Sequence, residues 1–305
     1  MNAHIAEPPT KESVKILLSG IIDYAGLFPP SMVSMTEAVL NYATYKNSNY
    51  GWMLGRFIVP AARLDEFIES ARSFLPSDPE RAWRLSVLAG EDINVTIKTI
   101  KDFNAKNGPG VVCDALEVRA NTSSKIENTV KILPKELTAY FEIATDERLP
   151  DLVATLAIKG QRAKIRTGGV TNLDFPPARA VIRFVRTCMA ANVPFKATAG
   201  LHHPVRCFKP LTYAADAPQG TMHGFINVLL MTAFARESYR VSLLEDLMEE
   251  EFEEVFLFRD NGVGWRDEHL LSAAQLANLR SKGFISFGSC SFDEPIADLR
   301  SLGLL

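Results

Sequence analysis

The chain has 305 residues, of which 47% are hydrophobic and 23% charged, and its formal net charge is −3. This composition is typical of a globular protein, and it excludes the basic footprint expected of a nucleic-acid-binding domain. The sequence contains no uninterrupted apolar run of about 18 residues, the length a membrane span needs, so we expect no membrane partner.

Two features of the sequence indicate the compartment. Residues 1–13 show no basic segment followed by an apolar run, which predicts a cytoplasmic protein. The four cysteines are Cys113, Cys188, Cys207 and Cys290, and none of them has CxxC spacing. Such scattered cysteines favour free, mostly buried thiols over a disulfide framework or a zinc site.

Eight short apolar runs alternate with segments of helical periodicity. The runs cover residues 20–28, 55–60, 83–90, 111–120, 137–144, 163–169, 195–200 and 284–289. The early runs begin roughly 25 to 36 residues apart, which is about the length of a βα unit. We therefore predict that residues 1–305 form one α/β domain, a (β/α)8 TIM barrel. A doubly wound open sheet is the alternative, but the first run lacks the GxGxxG turn that opens a dinucleotide-binding fold.

A long insertion separates the seventh and eighth predicted strands, over residues 201–283. It contains an almost continuously apolar helix at 222–236 and an acidic helix at 243–255. An Asp-Asn-Gly turn follows at 260–262, between two short extended runs. Because the insertion follows the carboxyl end of a strand, we expect it on or beside the face that carries barrel active sites. There it would cover the site or form a subunit interface. The alternative for the acidic helix is that it has no such role and only presents a solvated surface.

Charged residues interrupt three consecutive apolar strands. Since strand side chains alternate, Lys164 and Arg166 face the interior if Ala163 and Ile165 face the helices. The same alternation sends Lys196 and Thr198 inward on the seventh strand, and Tyr140 and Glu142 inward on the fifth. Buried lysine and arginine are rare, so this clustering needs an explanation.

Other strands add carboxylates to the same interior. Asp23 follows two isoleucines in the first strand, and the fourth strand carries Asp114 and Glu117. These last two have opposite parity, so simple alternation allows only one of them to point inward and does not say which. Two interpretations remain: a fully paired buried ion network, or a site in which one lysine loses its proton and becomes a nucleophile.

The second interpretation is energetically feasible. A lysine of ordinary pKa, near 10.4, must fall by about 3 pH units to be largely neutral at pH 7, which costs roughly 4 kcal/mol. One neighbouring charge at about 4 Å, at an effective dielectric constant of about 20, supplies this amount. Lys164 and Lys196 lie on neighbouring strands, which are about 4.8 Å apart. Nearby carboxylates act in the opposite direction, so their positions decide the net effect.

Taken in order, these segments resemble the deoxyribose-phosphate aldolase family. The segments that carry the resemblance are IIDYAGLFPP (21–30), CDALEV (113–118), FEIA (141–144), the run from AKIRTGG (163–169) to FKATAG (195–200), and FISFGSCS (284–291). The resemblance implies a class I aldolase on a (β/α)8 barrel. It makes Lys164 the Schiff-base lysine and Lys196 the neighbour that lowers its pKa. It makes Asp114 a proton-relay carboxylate with support from Asp23, and it implies no metal or organic cofactor.

The sequence departs from the family pattern at two places. Arg166 stands where the family has a small hydroxylated residue, and a guanidinium there would occupy substrate space or bind an anionic group. After the seventh strand, Ala199, Gly200, Leu201 and His202 replace paired glycines and a basic residue. Backbone amides at glycines remain available to an anion, but we expect a substrate other than deoxyribose 5-phosphate.

We therefore predict a class I, Schiff-base lyase that acts on a small aldehyde, keto or 2-oxo compound carrying an anionic group. One alternative is a non-catalytic barrel that serves as a binding or scaffold protein. Another is a metal-dependent lyase or hydrolase in which His202 and His203 bind the metal. A histidine could instead act as an acid/base catalyst. Barrels with such insertions often associate, which suggests a homo-oligomer. The candidate catalytic residues are Lys164, Lys196, Asp114, Asp23, Glu142 and Glu117; the candidate substrate-binding residues are Arg166, Thr198, Gly168, Gly169, Gly200, His202, His203, Gly288 and Ser289.

Overall fold

The computed structural model of the chain describes residues 9–305. The expectation that no targeting segment begins the chain rests largely on residues 1–8, which lie outside the described residues. The strands are β1 (Ile22–Tyr24), β2 (Leu54–Pro60), β3 (Trp83–Leu88), β4 (Val111–Arg119), β5 (Thr138–Glu142), β6 (Arg162–Arg166), β7 (Phe195–Thr198), β8 (Cys207–Pro210), β9 (Gln219–Met222), β10 (Phe256–Arg259), β11 (Gly262–Trp265), β12 (His269–Ser272) and β13 (Phe284–Ser289). The α-helices are α1 (Glu12–Leu18), α2 (Met35–Lys46), α3 (Leu64–Ala71), α4 (Ile93–Asn107), α5 (Ser123–Ile132), α6 (Leu149–Ile158), α7 (Ala178–Ala190), α8 (Phe225–Arg236), α9 (Val241–Met248), α10 (Ala273–Lys282) and α11 (Asp293–Ser301).

Eight parallel strands close into a barrel in the order β1-β13-β7-β6-β5-β4-β3-β2. These are the eight strands predicted from the apolar runs, so the (β/α)8 barrel is confirmed and the open sheet is excluded. Helices surround the barrel. Four of them begin at residues whose side-chain oxygens accept free backbone N–H groups: Ser34 for α2, Asp92 for α4, Thr122 for α5 and Ser272 for α10.

The predicted alternation on β6 and β7 is confirmed. Ala163 and Ile165 belong to the apolar core between the barrel and its helices. Lys164, which lies between them in sequence, faces the interior of the barrel. The strands pair so that Lys164 lies beside Lys196 on one side and beside Glu142 on the other. The barrel therefore brings both lysines to the same level of its interior.

The fourth strand departs from simple alternation. The register between β3 and β4 shifts between Leu85 and Ser86, because Leu85 pairs with Cys113 and Ser86 pairs with Ala115. The residue skipped by this shift is Asp114. A bulge of this kind inserts one extra residue into the strand. Both carboxylates of β4 consequently reach the interior, Asp114 near the amino end of the barrel and Glu117 at the level of the lysines. The inference that only one of them could point inward is therefore wrong.

The inserted region 201–283 divides into three parts. The antiparallel hairpin β8–β9 follows β7 at the carboxyl end of the barrel. The apolar helix α8 is almost entirely buried, because it packs between α7, α9 and α10. The antiparallel sheet β10-β11-β12 packs against α1, which leads into the amino end of β1. Only the first part thus lies on the face where we expected the insertion.

The acidic segment of the insertion is shorter as a helix than predicted. Helix α9 ends at Met248, and only a 3₁₀ turn follows at 253–255. Glu250 is 4% exposed and accepts hydrogen bonds from Trp265 Nε1 at 3.2 Å and Arg266 Nε at 2.8 Å. A fully solvated surface therefore does not describe this segment, because Glu250 anchors the β10-β11-β12 sheet. Within residues 9–305, no helix is both long and apolar enough to cross a membrane.

Candidate active site

Glu117 lies at the centre of the charged interior and joins the two lysines. Its Oε2 is 2.7 Å from Lys164 Nζ, and its Oε1 is 2.7 Å from Lys196 Nζ. Ser86 Oγ donates a further hydrogen bond to Oε1 at 2.7 Å. Every oxygen of this buried carboxylate is therefore occupied by a donor, as a charge removed from water requires.

Lys196 is held on its other side by Asp23. The distance from Lys196 Nζ to Asp23 Oδ2 is 2.5 Å, and Ser286 Oγ donates to the same oxygen at 2.7 Å. The backbone N–H of Arg56 donates to Asp23 Oδ1 at 2.7 Å. Gly55 permits this approach, because a Cβ there would lie 2.3 Å from Asp23 Oδ1.

These pairings set the charge states of the inner residues. Burial acts to lower the pKa of Lys196, but the charges of Asp23 and Glu117 outweigh it and raise the pKa above its ordinary value. Burial acts to raise the pKa of Glu117, but the two ammonium groups lower it well below its ordinary range. The amines therefore do not face each other across a bare gap, as the prediction of a pKa lowered by a second cation assumed. A carboxylate separates them.

The two lysines differ in access. Lys196 is 1% exposed and enclosed, with its Nζ 5.4 Å from the centre of the Tyr140 ring. Lys164 is also buried, but it lines an open cavity. Its Nζ contacts Glu117 and Glu142 Oε2, the latter at 2.9 Å. An ammonium group has three N–H donors, so two carboxylates leave one direction toward the cavity.

The cavity has a volume of about 1060 Å³ and opens at the carboxyl end of the barrel. It is large enough for an extended substrate, since typical ligand pockets measure about 300 to 1,000 Å³. Its lining includes these predicted site residues: Glu117, Glu142, Lys164, Arg166, Gly169, Thr198, Gly200, His202 and Gly288. The structure therefore brings most of the predicted site residues to one cavity.

Of the remaining predicted residues, four lie close to this cavity and two, His203 and Asp114, do not. Lys196 and Asp23 form the inner layer behind Lys164. Gly168 packs against Gly200, where a Cβ on either glycine would lie within 2.7 Å of the Cα of the other, so this pair joins the loops after β6 and β7. Ser289 is buried and accepts a hydrogen bond from the Ser291 N–H at 3.4 Å. His203 and Asp114 belong to separate clusters.

Asp114 is placed at the amino end of the barrel and not beside the lysines. Arg56 contacts it through two hydrogen bonds, Nε to Oδ1 at 2.7 Å and Nη2 to Oδ2 at 3.0 Å. Arg84 Nε donates to Oδ2 at 2.6 Å. Sequence reasoning missed Arg56, although a charged residue inside the apolar strand GRFIVP is the same signal that identified Lys164.

Arg166 is one of three exposed cations that line the cavity, with Arg119 and Lys125. It lies two residues beyond Lys164 on β6, and within the described part of the chain it forms no ion pair. By contrast, Arg119 at the cavity wall is 3.2 Å from Glu142 Oε1. An unpaired guanidinium beside Lys164 is suited to a carboxylate or phosphate of a bound molecule.

The loop after β6 offers fewer free amides to an anion than its glycines suggested. The N–H groups of Val170 and Thr171 donate to Asp174 Oδ2 at 3.0 and 2.9 Å. These hydrogen bonds lower the pKa of the Asp174 carboxyl, chiefly through Thr171. A protein carboxylate therefore occupies the two amides that follow Gly168 and Gly169 in this loop.

The two adjacent histidines lie against two carboxylates of α11, and Glu294 is near both of them, since its Oε1 is 3.8 Å from His203 Nε2. His202 Nδ1 is 3.0 Å from Glu294 Oε2, whereas His203 Nδ1 is 2.5 Å from Asp298 Oδ2. His203 lines a separate cavity of about 290 Å³. Within residues 9–305, no group of three or more His, Cys, Asp or Glu side chains is arranged to hold a metal ion. The arrangement expected for a metal site at His202 and His203 is therefore not formed by these residues.

Comparison of the chain with models of known protein families gives no match, and a search of curated proteins gives none either. The function must accordingly be argued from the geometry of this cavity.

Proposed function

We propose that the protein is a class I, Schiff-base-forming lyase that cleaves or forms a carbon–carbon bond in a small carbonyl compound carrying an anionic group. The observation that supports this most strongly is the placement of Lys164. It is a buried lysine whose amine is fixed by two carboxylates and has access to a large cavity at the carboxyl end of a barrel. A purely structural ion pair would gain nothing from that access.

The carboxylates around Lys164 suit the charge of the intermediate. The amine must lose a proton before it attacks a carbonyl, and Glu142, which is partly exposed and within 2.9 Å, is placed to accept that proton. Dehydration of the adduct then gives an iminium, which restores a positive charge at Nζ. Glu117 and Glu142, which stabilise the ammonium in the free protein, would stabilise this cation in the same way.

Lys196 has a supporting role in this proposal. It neutralises Glu117 and Asp23, so that Glu117 holds Lys164 without an uncompensated negative charge behind it. Arg166 would bind the anionic group of the substrate. We also propose a distant relationship to the deoxyribose-phosphate aldolases, with a different substrate, because Asp174 occupies amides that a phosphate would need.

Borohydride trapping tests the proposal directly. The protein is incubated with borohydride and each of three probes (acetaldehyde, pyruvate and glyceraldehyde 3-phosphate), and the modified peptide is mapped by mass spectrometry. We expect a reduced adduct on Lys164. The matched control is Lys164→Arg, which keeps a cation between Glu117 and Glu142 but provides no amine nucleophile. If none of the probes modifies Lys164, the proposal is wrong and a non-catalytic binding protein becomes the better account.

A further inference from the structure

His202 presents a free ring nitrogen to the cavity that contains Lys164. It lies in the loop after β7, at the carboxyl end of the barrel, and is partly buried. Its Nδ1 is bound to Glu294 Oε2 at 3.0 Å, and within the described residues its Nε2 has no hydrogen-bond partner. Because the ring itself lines the cavity, Nε2 is the nitrogen available to a bound molecule.

Glu294 fixes the orientation of this imidazole. It lies in the first turn of α11, where Ser291 Oγ accepts a hydrogen bond from its N–H at 3.1 Å. Tyr213 Oη donates a second hydrogen bond to Oε2 at 3.3 Å. Burial acts to raise the pKa of Glu294, but the hydrogen bond from His202 and the histidine charges lower it below its ordinary value. The carboxylate is therefore ionised near neutral pH, and it favours the tautomer with the proton on Nδ1 and a lone pair on Nε2.

The other bases of the site are less suitable for moving a substrate proton. Glu117 has both oxygens occupied by donors and a lowered pKa, so it is a weak base. Asp23 lies behind Lys196 and is 1% exposed. Glu142 already contacts Lys164 and Arg119. An oriented imidazole with a free nitrogen thus supplies what the carboxylate cluster lacks.

We propose that His202 is the residue that moves the proton at the carbon next to the iminium formed on Lys164, and that Glu294 is its positioning residue. In this step Nε2 removes a proton from that carbon. The electrons of the C–H bond form the C=C bond of a neutral enamine, and the C=N π electrons move to the lysine nitrogen. The imidazolium returns the proton in the reverse direction. This inference rests on the proposed function.

The enamine step is measured separately from Schiff-base formation. Acetaldehyde and pyruvate are incubated with the protein in D₂O, and loss of the methyl proton signal is followed by NMR, while borohydride adducts on Lys164 are quantified in parallel. We expect His202→Gln to retain the adduct but to slow methyl exchange by about 10²- to 10⁴-fold, the range typical of a general base. Added imidazole should restore part of the exchange in His202→Ala.

Two variants of α11 test the positioning role. Glu294→Gln should lower the exchange rate at saturating probe by about 10- to 100-fold, with little change in KM, as expected when a histidine loses its orienting partner. Asp298→Asn is the matched control, because Asp298, which is also on α11, binds the Nδ1 of His203 at 2.5 Å and, within the described residues, forms no hydrogen bond with His202. It should leave the exchange rate unchanged.

The outcomes separate this inference from the proposed function. If neither probe gives an adduct on wild-type Lys164, the proposed function fails first. If the adduct forms and His202→Gln exchanges at the wild-type rate, the role of His202 is wrong while the Schiff-base proposal stands. Equal loss of adduct and exchange in His202→Gln would also overturn it, since the residue would then serve the fold or the binding of the carbonyl compound.

Discussion

At the amino end of the barrel, Asp114 lies between Arg56 and Arg84, whereas at the carboxyl end Lys164 lies between Glu117 and Glu142. The first cluster is an acid between two bases, and the second is a base between two acids. Both are built from inward-facing residues of neighbouring strands. They differ in what lies beside them, because Lys164, Glu117 and Glu142 border the 1060 Å³ cavity, whereas the residues of the first cluster do not line it.

This difference shows why buried charge alone does not identify a site. Both oxygens of Asp114 accept hydrogen bonds from arginine side chains at 3.0 Å or less, so the amino-end cluster is saturated. Such a cluster stabilises the fold once it is formed, and breaking it is costly. Lys164 keeps one N–H direction open, which a molecule can reach. We therefore expect substitution of Asp114 to change stability alone, and substitution of Lys164 to change chemistry.

The largest effect is expected from loss of the cavity lysine. Lys164→Ala should abolish adduct formation at this position and reduce carbonyl chemistry by about 10⁴-fold or more, because the other lysine that lines the cavity, Lys125, is exposed and does not lie between Glu117 and Glu142. The measurement is adduct mass together with methyl exchange of acetaldehyde. Circular dichroism checks that the variant is folded. Residual adduct at the wild-type level in this variant would show that another lysine reacts.

The second effect concerns the carboxylate that joins the two lysines. Glu117→Gln leaves two buried ammonium groups with incomplete pairing, and we expect a loss of about 3–5 kcal/mol in the free energy of unfolding at pH 7. Urea denaturation measures it. Glu66→Gln is the control, since Glu66 forms an exposed pair with Arg63 and should have little effect.

The same carboxylate predicts a pH dependence with a definite sign. The pKa of Glu117 in the folded protein lies below its ordinary value of about 4.5. Its contribution to stability is therefore complete above about pH 4.5 and is lost as the pH falls toward the folded value. Wild-type stability should decline below this pH, and Glu117→Gln should decline less steeply. Parallel curves for the two proteins would contradict the assignment.

A third prediction compares stability and adduct formation in variants of the amino-end cluster and the cavity cluster. Asp114→Asn should lower the free energy of unfolding by about 3 kcal/mol, at the lower end of the range for a broken buried pair because Arg84 remains largely exposed. In the protein that stays folded, adduct formation on Lys164 should be unchanged. Lys164→Arg should show the reverse, with wild-type stability and no adduct. Loss of the adduct in a folded Asp114→Asn variant would show that Asp114 takes part in the reaction at Lys164.

The sequence was sufficient for the barrel and for most of the inward-facing charges, because both depend on local periodicity. Alternation placed Lys164, Lys196 and Glu142 correctly. It failed on β4, where a register shift depends on how β3 and β4 pair, and pairing between strands cannot be seen in either strand alone. Alternation left Asp114 and Glu117 open, and the relay role of Asp114 came from the family resemblance.

Partners that come from distant parts of the chain were also missed. In the sequence, Glu294 is indistinguishable from an ordinary acidic residue in the first turn of a helix. Only the folded structure shows that it contacts His202, which is 92 residues away. Ser86 and Ser286, which donate to Glu117 and Asp23, carry a weak signal as small polar residues inside apolar strands. Long-range contacts of this kind decide which charges are paired, which explains why the sequence did not show that Glu117 lies between the two lysines.

The smallest effect tests whether the open end of the barrel recognises charge. Arg166→Ala should raise KM for pyruvate by about 10- to 100-fold, the equivalent of about 1.5–3 kcal/mol for a hydrogen bond to a charged group, with kcat changed less. KM for acetaldehyde should stay close to the wild-type value, since that probe has no anionic group. The matched control is Arg119→Ala, because Arg119 also borders the cavity but is already paired with Glu142. Equal losses for both probes in Arg166→Ala would mean that the guanidinium supports the loop after β6 and does not bind substrate, and the amino-end and carboxyl-end arginines would then share a structural role.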